Sequence, residues 1–229
     1  MKNFSLWMRQ GLQSLMETRC ALCAMPMPWP TAPELCDACR QEWPTSGSNF
    51  CGSILAAGLY VGSLQTTVLR AKEEANSPLQ SVLAQRLLTS IQKADLAPGC
   101  FVPIPPSFRR RLRAHSLPVA LANHLSRSLQ WPSVSLLRNC RKTAPQASLQ
   151  GRGRRRNRKN SMALQLFARK PVAPVWLVDD VCTTGATLAE AVRVFREHEI
   201  PCAGAVVAAR VDASPNFLES SFLLPRLSA

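Results

Sequence analysis

The segment Val175–Thr187 constrains this chain more tightly than any other, because apolar, acidic and small residues follow one another there in a telling order. Val175 to Val178 is a short apolar run of the kind that forms a strand buried on both faces. Asp179 and Asp180 come next, where that strand is expected to end, and then the hydroxyl-rich turn Thr183-Thr184-Gly185-Ala186-Thr187. Leu188, Val192 and Phe195 recur at helical spacing, which predicts a helix beginning near Gly185–Thr187. In an open α/β sheet, ligands bind outside the carboxyl ends of the strands. A helix N-terminus there offers backbone N–H groups and a positive dipole end to a phosphate. The carboxylates stand beside it, placed to accept hydrogen bonds from sugar hydroxyls. These residues predict a cradle for a phosphorylated sugar. The plainer alternative is a strand–turn–helix with a capping threonine and two solvated acids.

The pattern resembles the phosphoribosyl pyrophosphate (PRPP) motif of type I phosphoribosyltransferases. The resemblance implies that Asp179 and Asp180 hold the ribose hydroxyls as the catalytic pair. It also implies that Thr183, Thr184, Gly185, Ala186 and Thr187 form the loop for the 5′-phosphate. Cys182, with no basic partner evident beside it, reads as a small filler rather than a nucleophile.

Four of the nine cysteines form a second pattern. Cys20, Cys23, Cys36 and Cys39 read C-x2-C-x12-C-x2-C, two pairs that can each grip a metal through one tight turn. Four thiolates complete a closed tetrahedral zinc site, which can supply folding energy to a segment too small to own a core. Two disulfides are the alternative, disfavoured in a reducing compartment. Pro26, Pro28, Pro30 and Pro33 suit a metal-stapled knuckle better than a helix. Cys51, Cys100, Cys140 and Cys202 lack paired spacing and read as buried small hydrophobes.

Charge is the third constraint. The chain of 229 residues carries a net +14, and its distribution matters more than its size. Between Asp95 and Asp179 there is no Asp or Glu, while sixteen Lys and Arg fall in the same stretch. A solvated basic face normally carries interspersed acids, so this stretch is expected to meet polyanions. No run reaches the ~18 apolar residues of a membrane span. At the N-terminus Arg9, Gln10 and Gln13 interrupt the apolar residues, and no cleavage site follows. Phe4, Met8, Leu12 and Leu15 instead share one helical face, and the chain reads as cytoplasmic.

The expected organisation is an N-terminal helix and four-cysteine knuckle (1–45), a phosphoribosyltransferase-like domain (50–212) and a tail (213–229). Strands are expected near Ile54–Tyr60, Phe101–Ile104, Val134–Leu137, Val175–Val178 and Ala205–Ala208. Helices are expected over Ser63–Lys72, Leu79–Ile91 and Ser116–Leu129. Their alternation argues for a Rossmann-like α/β fold with a parallel sheet and right-handed crossovers. Asn139 to Asn160 is almost without apolar residues and predicts a long mobile loop.

A zinc knuckle ahead of such a domain resembles the ComF/GntX family, linked to natural competence and the use of incoming DNA. Lys72 is similar to that family's lysine after the first helix. Val102-Pro103-Ile104-Pro105 resembles its strand end, and Arg109–Arg111 the basic run behind it. Its loop pattern is matched by Arg141, Thr143, Gln146, Leu149, Arg154 and Asn157. The chain departs from it at Arg113-Ala114-His115-Ser116, where the family usually carries Arg-Gly-Phe-Asn-Gln. The three histidines (His115, His124 and His198) read as structural or solvent-facing.

The resemblance implies a PRPP site that includes Lys72 and Arg109, with Mg²⁺ bridging the pyrophosphate oxygens and zinc as the structural metal. It implies a hood loop over the reacting centre, carrying Arg141, Gln146, Arg154, Arg155, Arg156 and Asn157. That loop holds more positive charge than one pyrophosphate requires, so single-stranded DNA is expected as a partner, and other DNA-uptake proteins with it. Two readings stay open: a phosphoribosyltransferase, or a non-catalytic single-stranded-DNA adaptor that keeps the sugar-phosphate site as a sensor or relic.

Overall fold

Five strands and the helices between them place the acidic doublet in the C-terminal half of a strand one in from the edge of the chain's main sheet. In a computed structural model of the protein the described residues are 18–27, 35–42, 50–51, 53–73, 77–106, 115–140, 161–166 and 168–211. The expected N-terminal helix and the tail lie outside them. So do Arg109–Arg111, Arg141, Gln146, Arg154, Arg155, Arg156 and Asn157.

In chain order the elements are β1 (Thr18–Arg19), β2 (Pro26–Met27), α1 (Asp37–Gln41), β3 (Phe50–Cys51), β4 (Ile54–Ala56), α2 (Gly62–Ala71) and α3 (Pro78–Lys93). These are followed by β5 (Cys100–Pro103), α4 (Leu117–Leu129), β6 (Leu137–Asn139), β7 (Met162–Leu164), β8 (Val175–Cys182), α5 (Ala186–Glu197) and β9 (Cys202–Arg210). The main sheet runs β3-β4-β9-β8-β5. β4, β9, β8 and β5 are parallel, and only the edge strand β3 is antiparallel. This is the expected α/β architecture with a parallel sheet.

Alternation along the strands feeds two cores. Trp176, Val178, Val206 and Ala208 join α2, α3 and α4 through Val68, Leu83, Leu87 and Leu121. Val175, Leu177, Ala205 and Val207 join α5 and the β6–β7 hairpin through Leu188, Val192, Phe195 and Met162. Because both faces are covered, the strands read as continuous apolar runs. Trp176 is held closely. Its ring passes 2.8 Å from where a Cβ at Gly204 would stand, and that residue has φ +156°. Its indole N–H donates to the Ala97 carbonyl at 3.1 Å.

The four-cysteine segment shares the first of these cores. Cys20, Leu22, Met27, Leu35, Cys36 and Cys39 pack in the same cluster as Leu64, Val68 and Ala71 of α2. Arg70 Nη1 also donates to the Leu22 carbonyl at 2.6 Å.

Three strand expectations change. β8 does not end at Val178 but continues through both aspartates to Cys182. Its pairing with β9 persists there, at Asp179–Val207 and Val181–Ala209, so the backbone ladder overrides the low strand propensity of aspartate. No regular strand forms at the expected Val134–Leu137; just before it, Ser133 makes one isolated bridge to Phe101 of β5. The chain then pairs at Leu137–Asn139 with Met162–Leu164 in a separate two-stranded sheet. Residues 54–60 form a regular strand only to Ala56, then follow β9 through single hydrogen bonds such as Tyr60 N–H to the Arg210 carbonyl at 2.7 Å. Among the described residues no helix is long and apolar enough to cross a membrane.

Candidate sugar-phosphate site and four-cysteine centre

Gly185 turns the chain from β8 into α5. Its φ of 68° is left-handed, a conformation that costs an L-residue with a Cβ about 1–2 kcal/mol. Behind this turn a hollow is lined by Asp179 and by the run Val181 to Leu188, so it includes Thr183, Thr184, Gly185, Ala186 and Thr187. The first N–H groups of a helix are not consumed by its own ladder. Thr183 and Thr184 are exposed beside them, and the Thr184 hydroxyl stands 3.5 Å from the Ala186 N–H. Backbone donors, hydroxyls and the dipole end together form a site for an anion.

The two carboxylates are buried, at 9% and 8% exposure for Asp179 and Asp180, so they are not the solvated pair of the plainer alternative. They also differ from one another. Asp179 lines the hollow, and its Oδ1 accepts the Asp180 N–H at 2.8 Å. Asp180 Oδ1 meets the Lys72 ammonium at 3.0 Å. Lys72 is the residue that caps α2, and its own carbonyl is bound by His115 Nε2 at 2.8 Å. The structure therefore brings Lys72, Asp179, Asp180 and the threonine-glycine loop together. His115 had no legible signal in the sequence, because its partner is a backbone atom 43 residues away.

The β6–β7 hairpin is tied to both neighbouring chain turns. Asn139 Nδ2 donates to the Pro106 carbonyl at 2.6 Å, just past the end of β5. On the other strand, the Met162 N–H donates to Glu190 Oε1 of α5 at 3.3 Å. Glu190 is 5% exposed and takes two hydrogen bonds from Arg193, each of 2.9 Å. These bonds hold the guanidinium of Arg193 well above its usual range, against the opposing effect of burial. Sequence reading missed this hairpin because each strand has only three residues and its anchors are side chains on a distant helix.

The Sγ atoms of Cys20, Cys23, Cys36 and Cys39 all lie within 4.8 Å of one another. Four thiolates around one zinc at about 2.3 Å would stand about 3.8 Å apart. The Cys23–Cys36 separation is 3.7 Å, so the donor set fits the metal. The Cys36 N–H points at Cys20 Sγ from 3.4 Å, a donor that favours thiolate there. Burial raises the Cys20 thiol, yet hydrogen bonds from Cys23, Cys36 and Leu22 outweigh it and bring the group down to about 6. Cys39, pushed up by burial first and then by its neighbouring thiols, lies well above the usual thiol range. Of the unpaired cysteines, Cys100 is buried, whereas Cys140 and Cys202 are only partly so.

The fold and its centres define an α/β protein with a parallel sheet, a threonine-glycine loop after β8 and an N-terminal four-cysteine module. No family model matches the chain. It is 32% identical over 184 residues to the DNA utilization protein YhgH of Escherichia coli strain K12, covering 76% of each chain. It is 28% identical over 170 residues to competence protein F of Haemophilus influenzae, covering 71% of this chain and 72% of that one. Among solved structures, orotate phosphoribosyltransferase from Aeropyrum pernix superposes with a TM-score of 0.41 at 20% identity, over 62% of this chain and 65% of that one. An adenine phosphoribosyltransferase gives 0.41 at 18% identity, over 63% and 78%. The chain belongs to the family of competence protein F and the DNA utilization protein YhgH.

Proposed function

We propose that this protein binds PRPP, or a related phosphoribosyl compound, with Mg²⁺ and acts in the cytoplasm in the uptake or use of DNA. The observation that carries the ligand is the hollow after β8, where a left-handed glycine and exposed threonines adjoin the buried Asp179. The names of its relatives support the biological setting.

In this reading the 5′-phosphate rests on Thr183–Thr187 and the ribose hydroxyls donate to Asp179 and Asp180. The pyrophosphate lies toward Pro105–Arg109, where Arg109 supplies a planar donor fork. Mg²⁺ would neutralise pyrophosphate charge, with Asp179 and Asp180 as the carboxylates of the same site. If the ribosyl carbon is transferred, its developing positive charge is stabilised by the same two carboxylates. Zinc in the four-cysteine centre is structural, since four protein thiolates leave no open position.

Calorimetric titration of PRPP with Mg²⁺ into wild type, Asp179→Asn and Asp180→Asn tests this reading. Wild type is expected to bind and both variants to bind weakly; negligible affinity in all three would sink it.

The second reading, a single-stranded-DNA adaptor without transfer, is favoured by the acid-free stretch between Asp95 and Asp179. Binding of single-stranded DNA over a salt series separates the two. Changing Arg154, Arg155 and Arg156 to Ala should make the salt slope shallower. An unchanged slope would remove that segment from the interface.

A further inference from the structure

Helix α2 touches both centres of the molecule. Its inward residues Leu64, Val68 and Ala71 pack with Cys20, Leu22, Cys36 and Cys39. In its last turn, Arg70 Nη1 donates to the carbonyl of Leu22, a residue between the first two metal-type cysteines. Two residues on, Lys72 closes the helix, its N–H reaching the Val68 and Leu69 carbonyls at 3.2 Å each. Its ammonium meets Asp180.

The physical consequence follows from how each piece is held. The Cys20–Cys23 turn holds the Cys20 carbonyl itself, through the Ala24 N–H at 2.9 Å, and a metal bound to its thiolates would hold the rest of the turn, Leu22 included. The Leu22 carbonyl is then a fixed acceptor for Arg70. A helix terminus frays readily, and this bond anchors its last turn from outside. Lys72 is the residue whose placement depends on that turn.

We propose that Arg70 is a positioning residue that ties the four-cysteine centre to the sugar-phosphate site, so that metal occupancy sets the affinity for the phosphoribosyl ligand. The inference rests on the phosphoribosyl reading of that site. It assigns the knuckle a task beyond stapling its own segment. By linkage the effect is reciprocal: a ligand that favours the Lys72–Asp180 arrangement must also tighten the metal.

The test uses the full-length, zinc-loaded chain. Arg70→Ala should retain the wild-type zinc content by elemental analysis, yet bind PRPP–Mg²⁺ about five- to tenfold more weakly. Arg70→Lys, which keeps a donor, should recover part of the loss. Without ligand, amides of residues 71–73 should exchange faster in Arg70→Ala and in metal-stripped wild type. A merely structural role would not move the reciprocal readout: PRPP–Mg²⁺ should slow zinc capture by a zinc-selective dye in wild type but not in Arg70→Ala. Wild-type affinity and exchange in a zinc-loaded Arg70→Ala would overturn the proposal. Should wild type bind no PRPP, the phosphoribosyl reading falls, and unchanged exchange in both samples would overturn the coupling as well.

Discussion

Lys72 Nζ stands 3.0 Å from Asp180 Oδ1, joining the end of a helix on one side of the chain's middle to the strand that carries the acidic doublet. The two side chains are only 20% and 11% exposed, so the pair is screened less than a surface ion pair. Lys72→Met should lower unfolding free energy by about 1–3 kcal/mol, because it takes a close cation away from a buried carboxylate. A double-mutant cycle with Asp180→Asn, read by urea unfolding, should return a coupling above about 0.5 kcal/mol. Strict additivity would show that the contact contributes nothing.

Gly185 makes a sharper demand on backbone geometry. With φ at 68°, Gly185→Ala should cost about 1–2 kcal/mol of stability and pull the loop away from its present shape. Binding of PRPP–Mg²⁺ should fall further than stability alone explains, a comparison that calorimetry and chemical denaturation make together. An alanine variant with unchanged stability and affinity would mean that the turn relaxes without cost.

Two acids compete for Arg193, and burial separates them. Glu190 is 5% exposed on its side chain and Glu197 57%. Arg193→Ala, which leaves the buried Glu190 with the Met162 N–H but no cation, should cost about 2–4 kcal/mol. Glu197→Ala should cost less than about 0.5 kcal/mol. For a chain of this size each kcal/mol moves Tm by about 2–4 °C, so thermal melts resolve the difference. Equal effects would refute the ranking.

Metal removal should be felt far beyond the cysteines. Their apolar neighbours belong to the same core as α2, α3 and α4, so chelation should lower the melting temperature of the whole chain in one transition. Scanning calorimetry that resolved a separate, early transition for the cysteine segment would show that it folds by itself.

The sequence made the parallel sheet legible because its strands are buried on both faces and so lack polar interruptions, as at Val175–Val178. The four cysteines were legible through spacing alone, and the Gly185 turn through its residue types. What stayed hidden depends on contacts between distant parts of the chain. β8 outruns its apolar stretch because β9 offers a continuing ladder, which no local propensity records. The β6–β7 hairpin hangs on Glu190 and Asn139, whose side chains look like ordinary surface residues in one dimension. His115 fits its structural reading, but the carbonyl it bonds carries no sequence signature.

The acidic doublet, finally, is not a duplicate. Asp179 lines the hollow after β8 and braces the next peptide, while Asp180 answers to a lysine from helix α2. Two identical letters side by side thus hold separate offices, and losing either leaves a different kind of damage. Exchanging Asp179 for glutamate would disturb the hollow and the turn beside it, while the same change at Asp180 would also strain the ion pair that joins α2 to the sheet. Neighbouring identical residues in such a motif are best treated as independent parts.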